Sequence, residues 1–133
     1  METGKRREFR LTALSEPLSH YTDAVAWGDT LYVSGIAPLD SAGKLVGGED
    51  AAAQTRQIFE NMKLILEAAG ASFADVLRVT VYLTDVSDRT RINPVRQAYF
   101  GSARPASTLI EVPALAIPGM KVEIEAIVGL RNA

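Results

Sequence analysis

The chain contains no cysteine. Disulfide staples, thiol nucleophiles and thiolate metal centres are excluded, and the absence fits a reducing cytoplasm, the expected location. Histidine is almost absent too, His20 being the only one. One imidazole cannot build a histidine-rich metal centre within a chain, and it gives a histidine-based triad little support. No apolar run is long enough to span a bilayer, so no membrane association is expected. The N-terminal METGKRREFR is basic, but no apolar stretch follows it as a secretory signal would require. An excess of positive charge is also missing. The 133 residues carry a formal net charge of −2, and basic residues gather only in Lys5 to Arg10 and Arg89 to Arg104. A nucleic-acid surface normally presents a basic stripe, so no nucleic-acid partner is expected, and the first cluster reads as a solvated tail.

What is present is the mix of a soluble globular protein, 47% apolar and 23% charged. The length suits a single domain, 1–133, with a core of its own and with residues 1–7 loosely attached. No internal repeat is visible. Glu8 to Ala13 alternates weakly, as an edge strand would. Tyr21 to Trp27 and Thr30 to Ile36 read as two strands joined at Gly28-Asp29, a hairpin signature. Ser34-Gly35 ends the second, and the glycine suggests a bulge or a close backbone approach. Glu49 to Ala69 has the clearest helical spacing, with Gly70 placed for a C-terminal cap. Val76 to Thr84 alternates as a strand, with Leu77, Val79, Val81 and Leu83 on one face. Ser87 to Phe100 reads as a second helix with Ser87 or Asp88 as a cap. Pro94 would break an interior turn, so Asn93-Pro94 is expected to open its main part. Ser107 to Val112 and Lys121 to Val128 complete the order β-β-β-α-β-α-β-β. This predicts an α+β fold with two helices on one face of a mixed sheet.

The most unusual stretch is KVEIEAIV. Val122, Ile124, Ala126 and Val128 share one face, while Lys121, Glu123 and Glu125 share the other. With Arg78, Thr80 and Tyr82, these form a half-polar sheet face of the kind often covered by another subunit. Taken alone, Glu123 reads either as a general base or as part of a salt-bridged acidic face.

The chain resembles the RidA (YjgF) family of reactive-intermediate deaminases. The matching pieces are Tyr21 in SHYTDAV, Gly28 and Tyr32 to Gly35 in GDTLYVSG, Gln54-Thr55, Asn61 and Ala69-Gly70. Further along come VTVYLTD, Asn93, Pro105-Ala106 and VEIEAI. The resemblance implies a chorismate-mutase-like fold and a homotrimer with ligand pockets between subunits. It also implies a hydrolase that converts enamines or imines to keto acids and ammonia, with no metal and no organic cofactor. On this resemblance Glu123 positions the water, and Tyr21, Ser34 and Gly35 line the pocket. Asn93 carries over as a contact on the second helix, although by itself it reads as a helix cap. The family arginine that clamps a substrate carboxylate follows Pro-Ala, and Ser107 stands in its place here. Arg104 and Arg96 are the candidates to replace it, with a surface or interface role as the alternative, and Ser107 with Thr108 could line a neutral pocket instead. The second functional reading is a metabolite-binding protein that does not turn its ligand over. Ribonuclease action or inhibition of translation, labels the family often carries, finds no basic stripe and no histidine pair here.

Overall fold

The computed structural model describes residues 5–131. Six strands, β1 (Arg6–Phe9), β2 (Ala24–Trp27), β3 (Thr30–Ile36), β4 (Val76–Leu83), β5 (Ala106–Glu111) and β6 (Val122–Gly129), form one sheet in the order β1-β2-β3-β6-β4-β5. Two helices, α1 (Ala51–Ala68) and α2 (Arg89–Phe100), follow β3 and β4, giving the expected element order. Every pairing is antiparallel except β4 with β5. That pair is joined through α2, the crossover that a parallel pair needs. The result is the α+β, chorismate-mutase-like arrangement.

Local chemistry explains the elements. Gly28 takes φ +62°, which suits the tight turn between β2 and β3. Asp50 caps α1, its side chain accepting from the N–H groups of Ala52 and Ala53. The face of α1 carrying Ile58, Phe59, Met62, Ile65 and Leu66 is buried. It packs on the sheet face that presents Leu31, Val33, Val79, Val81, Val122, Ile124 and Val128. Burying each such side chain contributes roughly 1.5–3 kcal/mol. Gln54 is fully buried among them. Its amide donates to the carbonyls of Gly48 and Gly119 and accepts from the N–H of Lys121, at 2.8–2.9 Å. The start of α1 is thereby tied to the start of β6.

Several expectations need correction. The first strand is Arg6–Phe9 rather than Glu8 to Ala13, so Arg6 and Arg7 are paired rather than loose, while residues 1–4 lie outside the described residues. The chain leaves the sheet at Arg10 because that side chain turns to bond the carbonyls of Leu11, Leu14 and Ser15 and the carboxylate of Asp23. The second strand is shorter than Tyr21 to Trp27, starting at Ala24. The second helix does not open at Asn93. A 3-10 turn, Val86–Asp88, leads directly into α2, and Pro94 lies inside it. Pro94 has no N–H to give the carbonyl four residues back, yet the helix runs through it, and the turn leading into α2 is held by Asp85 accepting from Ser87. Asn93 is therefore an interior residue and caps nothing.

Leu77 does not join the buried face; it is 56% exposed. Between β4 and β6, Val76 faces Val128 and Arg78 faces Ile127, so Leu77 is an extra residue in a bulge. Val76 and Val79 are both buried, an interval of three that strict alternation forbids. The same device occurs in β3. Val33 faces Ala126 and Ile36 faces Ile124, which leaves Ser34-Gly35 opposite the single residue Glu125.

Candidate functional site

The bulge in β3 builds the first half of the site. Gly35 comes so close to β6 that a Cβ placed on it would lie 2.3 Å from Oε2 of Glu123. The carboxylate of Glu123 thus rests over bare backbone, where no other residue type leaves room. Ser34 is fixed beside it. Its N–H donates to the carbonyl of Asp23 at 3.0 Å, and its hydroxyl donates to that of Thr22 at 2.6 Å. Both expectations for the Ser-Gly pair, a bulge and a close approach, hold together.

Tyr21 sits on the loop that reaches over this region. Its hydroxyl accepts from the N–H of Leu18 at 3.2 Å, and its ring lines a cavity of about 60 Å³ with Ser34 and Gly35. That loop is organised by Arg10, whose guanidinium is 3.0 Å from Asp23 and 3.3 Å from Glu16. Arg10 escapes a reading of the sequence because most of its partners are backbone carbonyls, which carry no residue signature.

Glu123 is half-buried on the sheet face that the helices leave open. Burial pushes its pKa up, and the like charge of Glu125 adds to the effect. Tyr82 faces Glu123 directly across the β4–β6 ladder. Its phenol is also shifted upward, first by burial and then by Glu125 and Glu123. Tyr82 belongs to the carboxylate surroundings, and its position on the polar side of β4 was the signal for it.

The second half of the site lies elsewhere. Ser107 pairs with Val79, so it projects toward the helix-covered side, at the edge of the sheet beside α2. Arg96 reaches it from α2, with Nη2 donating to Ser107 Oγ at 2.9 Å. Burial pushes the pKa of Arg96 down from its ordinary value. Asn93, Arg96, Arg104 and Ser107 line one cavity of about 390 Å³. The structure therefore divides the sequence-predicted residues into two groups. In one, Tyr21, Ser34 and Gly35 line the small cavity and Glu123 rests against Gly35; Asn93, Arg96, Arg104 and Ser107 line the other. Glu123 and Ser107 stand on opposite faces of the sheet, two strands apart, which is about 10 Å before the thickness of the sheet is counted.

Among the described residues no group of three or more His, Asp or Glu side chains is arranged to hold a metal ion. No helix among them is long and apolar enough to cross a membrane.

The sequence pattern of a family described as Endoribonuclease L-PSP matches residues 12–130. A RutC family protein of Pyrococcus horikoshii is 44% identical over 113 residues, covering 84% of this chain and 88% of that one. A human protein named 2-iminobutanoate/2-iminopropanoate deaminase is 40% identical over 108 residues, covering 80% of this chain and 77% of its own. The crystal structure of the YjgF gene product of E. coli matches with a TM-score of 0.85 at 31% identity, covering 94% of this chain and 99% of that one. With nearly the whole chain accounted for in both sequence and structure, the protein belongs to the RidA (YjgF) family, which includes members named as imine deaminases.

Proposed function

We propose that the protein hydrolyses a small imine or enamine carboxylic acid to the corresponding keto acid and ammonia, in a pocket shared between copies of a homotrimer. The observation that carries this reading is the carboxylate of Glu123, half-buried over the bare backbone of Gly35 with its pKa displaced upward. A carboxylate disfavoured as an anion is a better base than a solvated one. In the reaction Glu123 takes a proton from water as the water oxygen bonds to the imine carbon. The carbinolamine nitrogen then receives a proton, the carbon–nitrogen bond breaks, and ammonia leaves as the carbonyl forms. Ser34 and Gly35 present polar backbone to the reacting carbon, and Tyr21 closes the cavity. No cofactor enters any of these steps.

The placement of the two groups supports sharing between copies. Glu123 and Arg96 of one chain lie on opposite sides of its sheet, which favours a pocket completed by a second copy. The open face also presents Trp27 (54% exposed), Tyr32 (52%) and Ile110 (45%), large apolar groups that a second copy would cover. The human relative's name specifies 2-imino acids, which supports the same substrate chemistry here.

The test is ammonia release from 2-aminoacrylate, generated in place by a pyridoxal-phosphate enzyme, with wild type, Glu123→Gln and Ser107→Arg. Turnover in wild type that is lost in Glu123→Gln supports the proposal. Turnover that survives Glu123→Gln sinks it. Silence in wild type with activity in Ser107→Arg would mean a competent scaffold fitted to another acid.

A further inference from the structure

The cleft between α2 and β5 carries more positive charge than one carboxylate requires. Arg96 and Arg104 both line the cavity of about 390 Å³, together with Asn93, Gln97 and Ser107, and no Asp or Glu lines it. Arg96 is partly buried, and Arg104 stands exposed at the cavity mouth. Among the described residues neither forms an ion pair. Arg96 gives one N–H to Ser107 and leaves its other donors unused; Arg104 makes no hydrogen bond to any described residue. An adjoining cavity shares Asn93 and Arg96 and adds Arg89, so the positive potential continues along α2.

Two guanidinium groups lining one cavity, one of them partly desolvated, repel each other, and either is relieved by an anion. A single carboxylate fills one fork in bidentate fashion and leaves the second unanswered. Two carboxylates on one small molecule would answer both. The neutral amides of Asn93 and Gln97 can hydrogen-bond between them without adding charge. Ser107 matters here as an acceptor, because its hydroxyl holds the Arg96 fork at the sheet edge.

We infer that the pocket is selective for dicarboxylates, specifically a 2-imino acid whose side chain ends in a second carboxylate, with Arg96 and Arg104 each holding one end. This rests on the imine-hydrolysis reading and names its substrate class. Hydrolysis is unchanged in its balance: water adds, ammonia leaves, and a 2-oxo dicarboxylate is the product.

Imines made in place by amino-acid oxidases allow a direct test, with glutamate or aspartate giving the dicarboxylic imine and leucine or methionine the monocarboxylic one. Imine that escapes the enzyme is trapped as a semicarbazone. Wild type should show kcat/KM at least about tenfold higher for the dicarboxylic imine, since a site built for a polar group rejects the analogue lacking it. Arg104→Gln should bring that ratio close to unity, and Arg56→Gln, on the exposed side of α1, should keep it. A wild-type preference for monocarboxylic imines, or a preference that survives Arg104→Gln, overturns the inference. Calorimetry with 2-oxoglutarate, 2-oxobutanoate and inorganic phosphate needs no turnover. Tighter binding of 2-oxoglutarate that is lost in Arg104→Gln supports the dicarboxylate site, and phosphate bound equally tightly overturns it in favour of a general anion site. Selective 2-oxoglutarate binding without hydrolysis of any imine would end the catalytic reading and leave the pocket's specificity standing. Hydrolysis without selectivity would do the reverse.

Discussion

The two halves of the site are built in opposite ways. Glu123 is placed by backbone: a bulge, a glycine and a strand whose start is tied down by Gln54. Arg96 and Arg104 are placed by long side chains in an open cleft, with one hydroxyl contact between them. The first half holds a group whose charge the surroundings resist. The second holds charges that are fully committed and lack partners. Proton transfer needs a positioned group with a shifted pKa, whereas recognition of an anion needs a fixed charge that can adjust its reach. On the proposed reading, the contrast gives chemistry to the sheet and recognition to α2 and the loop that follows it.

That division can be broken most sharply at Glu123. Glu123→Gln should lower kcat by about 10²–10⁴-fold while leaving KM nearly unchanged, read from steady-state imine hydrolysis. A change confined to KM would dissolve the distinction between the halves. Gly35→Ala comes next. The atoms nearest the new methyl all belong to the flexible end of Glu123, and the backbone of Gly35 is not in the left-handed region. The fold should survive with its melting temperature little altered, while displacement of the carboxylate by about 1 Å costs on the order of 10²-fold in kcat. The opposite profile is expected of Arg96→Gln, a rise in KM of roughly ten- to a hundredfold with kcat largely kept.

Subunit mixing probes whether the halves come from different chains. Equal amounts of Glu123→Gln and Arg96→Gln, unfolded and refolded together, should regain about a quarter of wild-type activity at low substrate, because that share of pockets draws both intact residues from different copies. No recovery would place both residues in one pocket of one chain. The smallest effect is in stability against pH. The folded chain holds the proton of Glu123 to a higher pH than the unfolded chain does. Between those two values the folded state binds more protons, so stability falls as pH rises through the window. Glu123→Gln should therefore melt slightly higher than wild type at neutral pH, with the gain shrinking below the ordinary glutamate range. Over the same window wild-type kcat/KM should fall with acidification as the base is protonated.

Much of this was legible in the residues. Alternation in β6 and helical spacing in α1 follow from which side chains must leave water, so both elements stand where the pattern puts them. Gly35 was readable because a glycine at the end of an apolar strand has few other uses. Periodicity is blind to bulges, and this explains the misplacement of Leu77. It also overstates the power of a single proline, as α2 shows by running through Pro94. The division of the site into two faces could not be read at all. It depends on β6 inserting between β3 and β4, and no local pattern encodes the order of strands.

The irregularity in β3 has an evolutionary side. Loss of a single codon, for Ser34 or Gly35, would let β3 run continuously along β6 with Val33 still opposite Ala126 and Ile36 still opposite Ile124. The shortened strand would have an unbroken ladder and no obligation to shelter a carboxylate over bare backbone. A more regular sheet, without the irregularity beside Glu123, therefore lies one deletion away from this sequence. Loss of function in this lineage would have a short route that leaves the fold intact, and descendants that took it would still be recognisable as relatives by every feature except the missing residue.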